Sequence, residues 1–139
     1  MIELSRFIEA QANNTYVRAL SEIRAGKKRS HWMWCVFPQI VGLGSSPMAQ
    51  RYAIANRKEA EAYFADAELG QNLQEISEAL LALDASDPRA VMGWPDDLKL
   101  KSSMTLFTEC SDASVFPQVL AKYFDDARCD KTLKQLNSA

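Results

Sequence analysis

The sequence contains a single histidine, His31, and three cysteines, Cys35, Cys110 and Cys129, none of them in a C-x-x-C pair. That count excludes a zinc site built on a two-histidine helix, and the spacing lacks the thiol pairs of a structural zinc or a redox dithiol. An odd set of widely spaced cysteines also argues against a disulfide framework and fits a reducing compartment. No apolar run approaches the length a membrane-spanning helix needs. Residues 1–7 show no basic stretch leading into an apolar segment, so the expected location is the cytoplasm. Positive charge is not in excess either: sixteen Lys and Arg face eighteen Asp and Glu, for a net charge of −2. That balance excludes a chain-wide polycation for nucleic acid or a membrane surface and leaves room only for a local basic patch. Internal repeats, low-complexity tracts and long linkers are also missing.

What is present is a chain of 139 residues, 47% of them hydrophobic, enough to bury one core as a single domain over residues 1–139. Apolar positions recur at helical spacing almost throughout. Leu4, Phe7 and Ile8 share one face, Asn13-Asn14-Thr15 interrupt, and Tyr16, Ala19, Leu20 and Ile23 resume it before Gly26. Ser46 and Pro47 suit an N-cap and a first helical position, and Asn56 suits the cap of a helix carrying Ala60, Tyr63 and Phe64. The longest stripe is Leu69, Leu73, Ile76, Leu80 and Leu83, read as a helix set after Gly70. A short turn of helix ends at Gly93. Pro95, Asp96 and Asp97 then begin a helix running to Cys110, with both carboxylates at the positive end of its dipole. Asp112 restarts a helix that must hold Pro117 in its first turn, and Asp130 is expected to cap a last one with Leu133 and Leu136. The apolar stretch 31–37 fits a buried helix or a buried strand by length. Helix is favoured, because Ser30 can cap it and no second convincing strand exists to pair with it. The fold class is therefore all-α, a compact single-domain bundle of about seven or eight short helices.

Two stretches concentrate polar residues that the core pattern does not use. In the first, Lys27, Lys28 and Arg29 run into Ser30, His31 and Trp32, where a proposed helix start would offer backbone amides to an anion; the plainer reading is a solvated cationic exit from the preceding helix. Imidazole is the side chain best suited to proton transfer at neutral pH, so His31 is the candidate general base, against the plainer role of a hydrogen-bonded packing residue. Trp32 could stack a ligand ring, but on a helix Trp32 and Trp34 point apart, so one of them belongs in the core. In the second stretch Asp97, Lys101 and Thr105 share a helical face, Lys99 adds another cation, and Ser102-Ser103 place two hydroxyls where they lower helix propensity without adding to a core. Their plainer role is a hydrogen bond to a neighbouring helix, and the alternative is a pocket wall. The loop 42–47 resembles a phosphate cradle only loosely, lacking the downstream Lys-Ser or Lys-Thr pair, and reads as a connector.

The expected site is a pocket between these stretches for an anionic or nucleotide-like small molecule. His31 would be the catalytic base if the protein is a hydrolase, and Arg29, Ser30, Trp32, Lys99, Lys101, Ser102, Ser103 and Thr105 would bind the ligand, with no metal and no cofactor. The competing reading is a non-catalytic protein-protein interaction module using the basic and tryptophan-rich stretch.

Several words of the sequence carry a resemblance: Phe7-Ile8-Glu9-Ala10-Gln11, Lys28-Arg29-Ser30-His31-Trp32-Met33-Trp34, Phe37-Pro38-Gln39, Gly42-Leu43-Gly44, and Lys99-Leu100-Lys101-Ser102-Ser103-Met104-Thr105-Leu106-Phe107. Together they resemble domain-of-unknown-function family 1810, in order from Phe7 to about Leu136. The resemblance implies a compact all-helical fold and carries over no reaction, cofactor or catalytic residue. Some members bear the label calpastatin. An inhibitor of that kind would be long, repetitive and disordered, whereas this chain reads as one packed domain. Cys35-Val36 stands where the family pattern has a bulkier aromatic first, which implies local repacking.

Overall fold

A computed structural model describes residues 2–138, and among these the regular structure is ten α-helices with one isolated parallel bridge between Ile40 and Ile54. In chain order they are α1 Ser5–Gln11, α2 Thr15–Arg24, α3 Met33–Val36, α4 Pro47–Arg51, α5 Arg57–Ala65, α6 Ala67–Ala82, α7 Pro88–Met92, α8 Asp96–Cys110, α9 Val115–Phe124 and α10 Asp130–Ser138. The all-α class holds. The larger helix count arises because short segments such as α3 and α4 stand as separate elements. No helix among the described residues is long and apolar enough to cross a membrane.

Local chemistry accounts for most boundaries. Asn13 and Asn14 both take positive φ, 55° and 71°, and so separate α1 from α2. Ser46 accepts the Ala49 N–H with Pro47 at the first helical position, Asn56 accepts the Glu59 N–H, and Gly93 ends α7 at φ 80°. Gly70 behaves differently from expectation. The helix does not start after it: Asp66 caps α6 by accepting the Glu68 and Leu69 N–H groups, and Gly70 lies within the first turns. It is glycine because a Cβ there would lie 1.9 Å from the Phe64 carbonyl oxygen, where α5 turns into α6. Ser30 also departs from its expected role. Its hydroxyl donates to Glu22 Oε2 at 2.5 Å instead of capping, and α3 begins only at Met33.

The core runs from Phe7 in α1 to Leu136 in α10 as one continuous cluster, with α8 packed against α5, α7, α9 and α10. A polar knot crosses it. Gln11 Nε2 donates to the Cys35 carbonyl at 2.8 Å and Tyr63 Oη donates to the same oxygen at 3.1 Å, while Asn72 Nδ2 donates to Gln11 Oε1 at 3.0 Å. The short α3 is thereby fixed to α1, α5 and α6 through groups that the interior would otherwise leave unpaired. Lys122 on α9 donates to the carbonyls of Leu80, Leu81 and Leu83, satisfying acceptors that the end of α6 leaves open.

Candidate functional site

Glu22 decides where the basic stretch goes. Its Oε1 accepts the backbone N–H of Arg29 at 2.7 Å and of Ser30 at 3.0 Å, and the indole N–H of Trp32 at 2.9 Å. Burial alone would raise this carboxyl, but these donors and the Ser30 hydroxyl outweigh it and bring the pKa down to about 2. Amides that were expected to meet an anionic ligand are thus already satisfied by a carboxylate of the protein. Trp32 is 1% exposed and part of the core, and Trp34 stacks on Tyr52 with ring centroids 5.9 Å apart. His31 and Arg29 are exposed. None of Arg29, Ser30, His31 and Trp32 lines the principal pocket. The link between the two polar stretches is instead Lys28, whose Nζ lies 2.9 Å from Asp96 Oδ2 at the start of α8.

The pocket adjoins that helix start. It is a cleft of about 440 Å³ lined by the 39–44 loop, by Pro95, Leu98, Lys99, Lys101 and Ser102 of the α8 end, and by residues 128–131. Three expected residues, Lys99, Lys101 and Ser102, meet there. Ser103 and Thr105 are fully buried and do not line it. Thr105 acts on the wall nonetheless: its Oγ1 accepts the Cys129 N–H at 3.0 Å while donating to the Lys101 carbonyl at 2.8 Å. The hydroxyls inside α8 therefore do have a structural use, holding the segment that precedes α10. Ser103 Oγ, by contrast, has no hydrogen-bond partner among the described residues.

The opposite wall is locked just as firmly. Val41 N–H donates to the Ile54 carbonyl at 2.8 Å, Ile54 N–H donates to the Gln39 carbonyl at 2.8 Å, and Gln135 Nε2 of α10 donates to the Val41 carbonyl at 3.0 Å. Gly42 is required by its φ of 96°, which L side chains rarely adopt; a Cβ there would also displace the end of the Gln135 side chain. These bonds anchor the stretch leading into the 42–47 loop, and Leu43 and Gly44 of that loop line the cleft.

Residues 128–131 supply what sequence reasoning missed. Arg128 and Lys131 bring cations to the cleft and Asp130 one carboxylate. Arg128 Nη1 is bound by Asp126 Oδ1 at 2.8 Å and Lys99 Nζ lies 3.4 Å from Asp96 Oδ1. No ion pair engages Lys101 or Lys131 among the described residues. Cys129, rather than Asp130, holds the cap position of α10, its carbonyl accepting the Leu133 N–H at 3.2 Å. Ser102 Oγ lies 3.3 Å from its sulfur. Burial alone would raise this thiol, but the hydroxyls of Ser102 and Thr132 and the N–H groups of Thr132 and Lys131 outweigh it and lower the pKa below the ordinary cysteine value. The one sequence signal for this was a cysteine immediately before a helix start, flanked by Arg128 and Lys131. Among the described residues no group of His, Cys, Asp and Glu is arranged to hold a metal ion.

Comparison with known proteins agrees with the fold and names no activity. A crystal structure of the conserved hypothetical protein Rv1873 from Mycobacterium tuberculosis is 45% identical and superposes with a TM-score of 0.93, over 96% of each chain. No curated protein matches the sequence. The family described as "Protein of unknown function (DUF1810)" matches residues 1–136, and the chain belongs to that family.

Proposed function

We propose that this protein binds a small anionic molecule, of the size of a mononucleotide or sugar phosphate, in the cleft between the start of α8, the 39–44 lip and residues 128–131. The observation that supports this reading is the convergence of Lys99, Lys101, Arg128 and Lys131 against one carboxylate, Asp130, around a cleft of about 440 Å³. That volume is within the range of small-molecule sites. Lys99 and Arg128 are paired with Asp96 and Asp126, so in a chain of net charge −2 the positive potential at the cleft comes mainly from Lys101 and Lys131, which no ion pair engages among the described residues. An anion supplies the partner those two lysines lack. Leu43, Pro95 and Leu98 supply an apolar floor for the uncharged part of such a ligand. Arg29, Ser30, His31 and Trp32 lie outside the cleft and take no part in it. With Trp32 in the core and Trp34 stacked on Tyr52, the basic stretch also presents little aromatic surface to a protein partner.

Calorimetric titration with inorganic phosphate, pyrophosphate and AMP, with adenosine as the uncharged control, tests it. The anions are expected to bind and adenosine not to. Replacing both unpaired lysines, Lys101→Gln with Lys131→Gln, is expected to weaken binding by about tenfold or more, the loss of two charge-assisted contacts. Equal behaviour of AMP and adenosine, or unchanged affinity in the double variant, would overturn the reading.

A further inference from the structure

We infer that Cys129 is the reactive thiol of this protein and takes up small anionic disulfides from the cleft as a reversible mixed disulfide. The inference rests on the anion-binding reading for its choice of partner and on the surroundings of the sulfur for its chemistry. Cys129 is half-buried and lines the cleft, so a reagent in the cleft reaches it. It also stands immediately before a nine-residue helix, whose Lys131 and Thr132 N–H groups favour a thiolate at that position. Ser102 adds a hydroxyl from α8 at 3.3 Å. That hydroxyl has one proton and also lies 3.1 Å from the Leu98 carbonyl; beside a thiolate it is better used on the sulfur.

Thr132 adds to the case. It is fully buried, its Oγ1 makes no hydrogen bond of ordinary length among the described residues, and it lies near enough to the Cys129 sulfur to favour a thiolate there. A buried hydroxyl left without a partner costs stability. A thiolate at Cys129, or a polar group bound next to it, supplies the missing acceptor. The other two cysteines show the opposite environment. Cys35 is 0% exposed, Cys110 is buried beside α5, and burial pushes both thiols up to about 11.

The step balances without a further reagent. Cys129 Sγ, as thiolate, bonds to one sulfur of the disulfide while the disulfide's own S–S bond breaks. The departing half leaves as a thiolate and takes a proton from water. Cys129 is oxidised to the mixed disulfide and the departing half is reduced to a thiol. Lys101, Arg128 and Lys131 favour partners with carboxylate ends, Asp130 opposing them.

Three disulfides of similar size test it: dithiodiglycolate with carboxylate ends, hydroxyethyl disulfide with neutral ends and cystamine with ammonium ends. Adduct formation on the whole chain is followed by intact mass and peptide mapping, each rate divided by that of a short cysteine peptide with the same reagent. Cys129 is expected to be modified while Cys35 and Cys110 are spared, with normalised rates falling from anion to neutral to cation by about tenfold or more overall, as electrostatic focusing predicts. Arg128→Gln with Lys131→Gln, both at the surface of the cleft, should flatten that order. Ser102→Ala should shift the pH at which Cys129 reacts half-maximally upward, and Ser102→Thr should restore it. Cys129 reacting no faster than the buried cysteines, or equal normalised rates for the three reagents, would overturn the inference. Cys129→Ser should abolish the adduct, and phosphate binding is followed in parallel on the native chain. Phosphate binding together with an inert Cys129 would therefore defeat this inference alone, whereas loss of phosphate binding and of charge preference together would defeat both readings.

Discussion

Glu22 governs the N-terminal half of the molecule through four donors that converge on one carboxylate, two of them backbone amides and one the indole of a buried tryptophan. Deleting it strands those donors in a partly buried setting. Glu22→Ala is therefore expected to cost about 2–4 kcal/mol in urea unfolding, the range for losing hydrogen bonds to a charged group together with the desolvation of what remains. The sign with pH follows from the direction of its shift. A carboxyl lowered from 4.5 to about 2 contributes stability above pH 4.5 and loses it as the pH falls toward about 2. Acid titration of unfolding free energy should show a decline across that window in the native chain, with a visibly shallower decline in Glu22→Ala. Equal slopes would overturn the assignment of that acid sensitivity to Glu22.

The junction of α5 and α6 shows how helix propensity and packing are ranked. By propensity alone Gly70→Ala should help, by roughly 1 kcal/mol in a helix interior. The added Cβ would instead fall 1.9 Å from a backbone oxygen, and backbone at a helix turn yields less readily than the end of a side chain. The variant is expected to be destabilised by about 2 kcal/mol or more, an overpacking cost that exceeds the propensity gain; thermal unfolding decides, and any gain in stability would show the α5–α6 turn to be compliant. The same position explains what could be read from sequence. Apolar periodicity revealed Leu69, Leu73, Ile76 and Leu80 as one buried face, since burial and pattern report the same physics. It placed the helix start after Gly70, because a glycine chosen for close approach looks identical to one chosen to end a helix. The caps at Ser46 and Asn56 were readable because their chemistry is local. The cleft was only half readable: Lys99, Lys101 and Ser102 stood out as polar residues on an otherwise core-forming helix. Arg128, Cys129 and Lys131 gained their meaning from packing against α8, and Glu22 claimed the amides before His31 through a contact made eight residues away in the chain for Ser30.

The cleft joins three parts of the chain that are far apart in sequence, the 39–44 lip, the start of α8 and the approach to α10, and each rests on the same core. That core is continuous from Phe7 to Leu136, so no boundary separates a part that could unfold first while leaving the cleft intact. Unfolding is accordingly expected to be a single cooperative transition, as for most single domains of this size. Far-ultraviolet dichroism and tryptophan emission should report the same midpoint, the latter dominated by the change at fully buried Trp32, since Trp94 is 66% exposed before unfolding begins. A ligand bound across the three segments stabilises only the folded state, so the midpoint should climb with the logarithm of phosphate concentration once the site is saturated. Both probes should climb by the same amount. In the Lys101→Gln, Lys131→Gln variant the climb should shrink toward the small non-specific effect that phosphate has on any folded protein through surface exclusion, which sulfate reproduces. Two separated transitions, with only one responding to phosphate, would mean that α10 and the lip form a unit that leaves the core early, and would place the cleft on the less stable part of the molecule.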